Sequence, residues 1–62
     1  MGITYRRWWI ADHEVAAMRL WLRDCCADEE EADRVAELSP YEVVRHVAIN
    51  HCGGLHAWAM ES

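Results

Sequence analysis

Four histidines and three cysteines in a chain of 62 residues are the side chains best suited to ligate a metal or to act as nucleophile and base. Their densest grouping is His51-Cys52, with His56 beyond Gly53-Gly54. Structural zinc sites pair their ligands closely, as Cys-x-x-Cys or His-x3-His, whereas the remaining candidates His13, Cys25, Cys26 and His46 are scattered. No metal site and no cofactor is expected. Cys52 beside a histidine could attack a carbonyl only with a third, orienting group and a cleft around it, and so short a chain seldom encloses one. Gly53-Gly54 follows a helical pattern, whereas a phosphate-cradling glycine loop would precede a helix. The chain is therefore read as non-catalytic. The plainer role for Cys25, Cys26 and Cys52 is as small buried hydrophobes, with the histidines at a helix end or on the surface. Three is an odd number, and neighbours such as Cys25 and Cys26 rarely bond to each other, so reduced thiols in a bacterial cytoplasm are expected.

Charge is the more informative feature. The net charge of −5 is unevenly spread. Residues 1–23 carry Arg6, Arg7, Arg19 and Arg23 against Asp12 and Glu14, net +2, while residues 24–62 hold nine acids against Arg34 and Arg45, net −7. Seven of those acids, Asp24, Asp28, Glu29, Glu30, Glu31, Asp33 and Glu37, fall within fourteen residues. Two readings stand side by side. The cluster is a solvated helix face whose first-turn acids favour the helix dipole, or it is a patch that docks on a basic surface. Basic surfaces in bacteria are most often built to hold phosphates, so a compact array of carboxylates would compete there with nucleic acid. A second candidate surface is the basic-aromatic run Arg6, Arg7, Trp8 and Trp9, since Arg and Trp dominate binding hot spots. On a strand one Trp would be buried and the other exposed; alternatively both pack in the core.

The elements that must position these groups follow from local signals. Ile3 to Ile10, rich in β-branched and aromatic residues, predicts a short N-terminal strand. Asp12 is the expected cap of a first helix near 13–26, with Val15, Met18, Leu22 and Cys25 at helical spacing and Trp21 widening the stripe. Asp28 with Glu31 three residues on forms a capping box for a second helix over about 29–38. Ser39-Pro40-Tyr41-Glu42 combines a Ser cap, a Pro at the first helical position and a Glu that can reach back. It starts a third helix, which Gly53-Gly54 ends with a left-handed stop. Leu55 to Met60 alternates and predicts a second short strand that could pair with the first. The fold class is thus α+β and helix-dominated, built on Val15, Met18, Trp21, Leu22, Val35, Leu38, Val44, Val47 and Trp58, with an all-α arrangement of four short helices as the alternative.

No linker or repeat divides residues 1–62, which are read as one domain, and no apolar run reaches the roughly 20 residues that span a bilayer. Lys and Phe are absent while Arg and Ala are plentiful, the bias of a GC-rich bacterial or phage genome. The second and third helices, joined at Leu38-Ser39-Pro40, are loosely similar to a helix-turn-helix, but residues 28–46 carry net −5 and would repel phosphates. Direct nucleic-acid binding is not expected. In general profile the chain resembles the small acidic proteins that phages encode to inhibit host machinery, anti-CRISPR proteins among them. The residues carrying that likeness are the acids from Asp24 to Glu37. The resemblance implies an inhibitor whose partner is a nucleic-acid-handling protein, such as a CRISPR effector complex, and some such inhibitors mimic DNA. The rival expectation is a self-associating structural or assembly protein that uses its Trp-rich and Val-rich faces, and the chain is expected as a monomer or homodimer.

Overall fold

The computed structural model describes residues 1–61, arranged as a two-stranded hairpin followed by four helices. Strands β1 (Gly2–Tyr5) and β2 (Trp8–Ala11) pair antiparallel, with Ile3 opposite Ile10 and Tyr5 opposite Trp8. The segment read as one strand is therefore two. Arg6 and Arg7 form the turn between them, and Arg6 takes the positive φ of 55° that such a turn needs. Buried Tyr5 and Ile10 mark the inner face of the hairpin, while Thr4 and Trp9 lie opposite each other on the outer face.

Helix α1 (Asp12–Asp24) leaves β2 without a linker. The expected Asp12 cap is corrected: Ala11 occupies the cap position without a side-chain bond, and Asp12 is the first helical residue, its N–H donating to the Met1 carbonyl at 3.0 Å. α2 (Glu29–Glu37) and α3 (Pro40–Asn50) begin where the capping signals place them, with Asp28 accepting from the Glu31 N–H at 2.9 Å and Ser39 accepting from the Glu42 N–H at 3.3 Å. The return arms of both boxes differ from the simple pattern. Glu31 accepts from the Ala27 N–H at 3.1 Å, one residue before the cap, and Glu42 pairs with Arg45 at 3.6 Å.

The expected C-terminal strand is a helix, α4 (Gly54–Glu61), so among the described residues the helices number four and the sheet lies within the N-terminal segment. Packing explains the difference. Strand alternation would turn Leu55, Ala57 and Ala59 to one side, whereas the helix turns Leu55 and Trp58 inward together, the first buried and the second half-buried. Trp58 meets Trp21 edge-on with ring centroids 6.0 Å apart and His51 at 5.6 Å, contacts that a strand from the same glycine turn would not combine with burial of Leu55.

Met18, Val43, Val44 and Val47 are fully buried and join α1 to α3, with Tyr5, Ile10, Val15, Leu22 and Leu55 completing the core. Trp21, Val35, Leu38 and Trp58 from the expected core pack at its edge. The Val-rich face of α3 is thus consumed internally. α2 contributes no fully buried residue and packs chiefly on α1 through Val35 and Leu38, which leaves most of its circumference to solvent. Among the described residues no helix is long and apolar enough to cross a membrane.

Candidate functional site

All seven acids of the cluster are exposed: Asp24 at the end of α1, Asp28 at the cap of α2, and Glu29, Glu30, Glu31, Asp33 and Glu37 along α2. They do not play equal parts. Asp28 and Glu31 hold backbone amides of the helix start, and Glu30 pairs with Arg34 at 3.4 Å across one turn. Glu29, Asp33 and Glu37 form a stripe at four-residue spacing, and among the described residues none of the three has an ion-pair partner. Successive carboxylates of that stripe rise about 6 Å along the axis. That is close to two steps of the axial rise of about 3.4 Å per phosphate along one DNA strand.

What permits so acidic a helix lies partly on α1. Arg19 donates from Nη1 to the carbonyls of Val35, at 2.7 Å, and Ala36, at 3.2 Å. A cation therefore satisfies carbonyls at the negative end of the α2 dipole, while three glutamates occupy the positive end. Spacing along the chain does not reveal Arg19's role, because the bond spans sixteen residues and depends on how α1 and α2 cross.

On its inner side α2 borders an open groove of about 530 Å³ between the end of α1, α2 and the second half of α3. Trp21, Leu22 and Val35 supply its apolar wall, and Glu31, Arg34, His46 and Asn50 supply its polar rim. Cys25 and Cys26 also face it. The expectation of buried cysteines is corrected here, since Cys25 and Cys52 are exposed and only Cys26 is partly covered, its thiol donating to the Leu22 carbonyl at 3.1 Å. Partial burial, and then the neighbouring Glu31, push the Cys26 thiol above its ordinary value, which keeps it protonated and weakens it as a nucleophile. Among the described residues no group of three or more His, Cys, Asp or Glu side chains is placed to hold a metal ion. His51 and Cys52 do not form a reactive pair in a cleft. His51 is tucked against Trp21, with ring centroids 5.2 Å apart, while Cys52 points to solvent.

The second candidate surface is intact at the hairpin turn. Arg6, Arg7, Trp8 and Trp9 are all exposed. Trp9 is 63% exposed on the outer face, whereas Trp8, at 37%, lies partly over the inner face beside Tyr5. The expectation that one Trp, or both, would be buried is corrected: the two point to opposite faces of the hairpin, yet both are exposed. Arg6 sits over the Tyr5 ring at 5.6 Å.

Comparison with known proteins finds no similar protein-family model, no similar curated protein and no similar solved structure.

Proposed function

We propose that the chain is a non-catalytic inhibitor that occupies a basic, nucleic-acid-binding surface of a partner protein through the carboxylates of α2. Partners of the CRISPR effector kind are the target class that the acidic profile suggests. The observation carrying this reading is the stripe Glu29, Asp33 and Glu37, exposed and, among the described residues, without ion-pair partners, on a helix whose inner side is anchored by Val35 and Leu38. Leaving like charges together costs stability, and Arg34 offsets it little, since an exposed pair at this spacing contributes only about 0.3–0.5 kcal/mol. A merely solvated face would gain from interspersed cations, and α2 has one.

The test is a triple variant, Glu29→Gln, Asp33→Asn and Glu37→Gln, which removes the stripe while leaving the Asp28 and Glu31 caps in place. Wild-type protein immobilised on resin should retain a nucleic-acid-handling complex from a bacterial lysate and release it to added DNA. It should also release it as salt shortens the Debye length from about 10 Å toward 3 Å. The variant should retain none while keeping the wild-type far-UV circular dichroism. Undiminished retention by a folded variant would refute the proposal.

A further inference from the structure

Cys25 and Cys26 are reactive side chains for which the partner reading has no use. Both are free thiols, and both line the groove between α1, α2 and α3. Cys25 caps the end of α1, and Cys26 follows where the chain leaves the helix. Trp21 and Leu22 stand one turn before them, at the four-residue spacing that brings side chains together, so the apolar wall of the groove adjoins the thiols. Cys25 is exposed and open to solvent, while the partly covered Cys26 thiol donates to the Leu22 carbonyl at 3.1 Å. Partial burial, then Glu31, Cys25 and Asp28, hold the Cys26 thiol protonated, so the two sulfurs lie within electrostatic reach of each other.

A disulfide within this pair is disfavoured. Consecutive Cα atoms stand about 3.8 Å apart, whereas bridged cysteines usually stand about 4.4–6.8 Å apart. An atom inserted between the sulfurs relieves that limit by lengthening the bridge. Zinc is a poor choice for it, because a zinc site needs three or four protein ligands, and among the described residues no group of three or more His, Cys, Asp or Glu is placed to hold a metal. The inserted centre must be satisfied by two sulfurs, hold them close together and combine with protonated thiols. Trivalent arsenic carrying one organic substituent meets all three conditions: it is pyramidal, carbon fills its third valence, and it condenses with thiols by losing water. Its substituent then needs an apolar seat. Trp21, Leu22 and Val35 supply one in a groove of about 530 Å³.

We propose that Cys25 and Cys26 together chelate a monosubstituted trivalent arsenical whose organic group, best an aryl ring, seats in the groove against Trp21 and Val35. With an arsine oxide, two arsenic–sulfur bonds form and the arsenic–oxygen double bond is lost, its oxygen leaving with the two thiol protons as one water. Arsenic stays trivalent, so no oxidant or reductant takes part. Exposed Cys25 reacts first, and Cys26 then closes the ring on a tethered arsenic, where high effective concentration offsets its weak nucleophilicity. The closed chelate carries no charge, which suits a site beside Glu31 better than a thiolate does. The inference goes beyond the partner reading and does not rest on it, since the thiols lie on the inner side of α2 and the carboxylate stripe on its outer side.

The experiment uses phenylarsine oxide on the full chain, reduced beforehand with a phosphine, and reads the intact mass and the cysteines left open to iodoacetamide. Wild type should take up one arsenical per chain, keep it in excess glutathione, release it to dithiothreitol and leave only Cys52 to be alkylated. Cys25→Ser, at an exposed position, should lose the uptake that survives glutathione. Cys26→Ser should do the same, with Cys26→Ala in its place should that variant misfold, and Cys52→Ser should behave as wild type. Dithiothreitol should extract a methyl arsenical from the protein roughly tenfold more readily than the phenyl one, because part of the ring is buried in the groove. Glutathione-resistant uptake by Cys25→Ser, or a wild type with all three cysteines still alkylated, would overturn the proposal. Equal extraction of the two arsenicals would overturn the seating of the ring.

Discussion

Cys26 shows how one side chain reports on the surface around it. Partial burial and then the carboxylate of Glu31 raise its thiol above the usual 9.0, with Cys25 and Asp28 acting in the same direction and Arg23 against them. A thiol raised in this way is favoured in its neutral form by the folded state. Its contribution to stability is present below the unfolded-state value and is lost as pH rises through the higher folded-state value. Fewer thiolates and partial cover both slow its chemistry. At about pH 8, iodoacetamide labelling followed by peptide mass spectrometry should therefore modify exposed Cys52 faster than Cys26. Equal labelling rates in the folded protein would mean that the α1–α2 junction is more open than described. Arg19 makes a complementary point at the same scale. Counted along the chain it is part of the basic N-terminal third, yet its guanidinium serves the C-terminal carbonyls of the acidic helix.

Among the elements, α4 depends most on backbone geometry. Gly53 and Gly54 hold φ of 86° and 65°, and the Gly54 N–H donates to the His51 carbonyl at 2.8 Å, turning the chain so that Leu55 and Trp58 face inward. A Cβ at Gly53 would lie 2.6 Å from the Cβ of Ala57, in addition to the cost of about 1–2 kcal/mol for a left-handed L-residue. Gly53→Ala should accordingly destabilise the domain by about 2 kcal/mol in urea unfolding and weaken the near-ultraviolet signal of the Trp21, His51 and Trp58 cluster. A change below about 0.5 kcal/mol would show that the turn can adopt another path. α2 is held differently, by its capping box at one end, Arg19 at the other and Val35 with Leu38 beneath.

For the molecule as a whole, the core is small and shared. A domain of 62 residues buries only about 60% of the surface its unfolded chain exposes, so each fully buried side chain is a large share of a modest stability. Met18 lies at the centre with no exposure, and Met18→Ala should cost about 2–5 kcal/mol, enough to leave much of the protein unfolded at room temperature. Differential scanning calorimetry with a fully retained transition would contradict that assignment of the core. The split between a basic-aromatic hairpin and an acidic helix belongs to this scale too. It gives one molecule two surfaces of unlike character, an acidic helix and a basic-aromatic hairpin tip.

Much of this organisation was legible in the residues. Asp28 with Glu31 and Ser39 with Pro40 mark the starts of α2 and α3 because capping acts over three or four positions, within reach of a local pattern. The apolar stripe of α1 and the charge imbalance are likewise written along the chain. Tertiary structure alone decided whether Ile3 to Ile10 would run as one strand or fold back at Arg6, because the closure buries Tyr5 and Ile10 against α1 and α3. It decided that Leu55 to Met60 would coil, since only a helix brings Leu55 to the core and Trp58 to Trp21 together. It also created the groove, whose walls come from Trp21, Val35 and His46, residues that no local spacing relates. Hydrogen bonds within a turn depend on neighbours in sequence, whereas burial of apolar surface depends on what lies opposite, and that is known only once the helices have crossed.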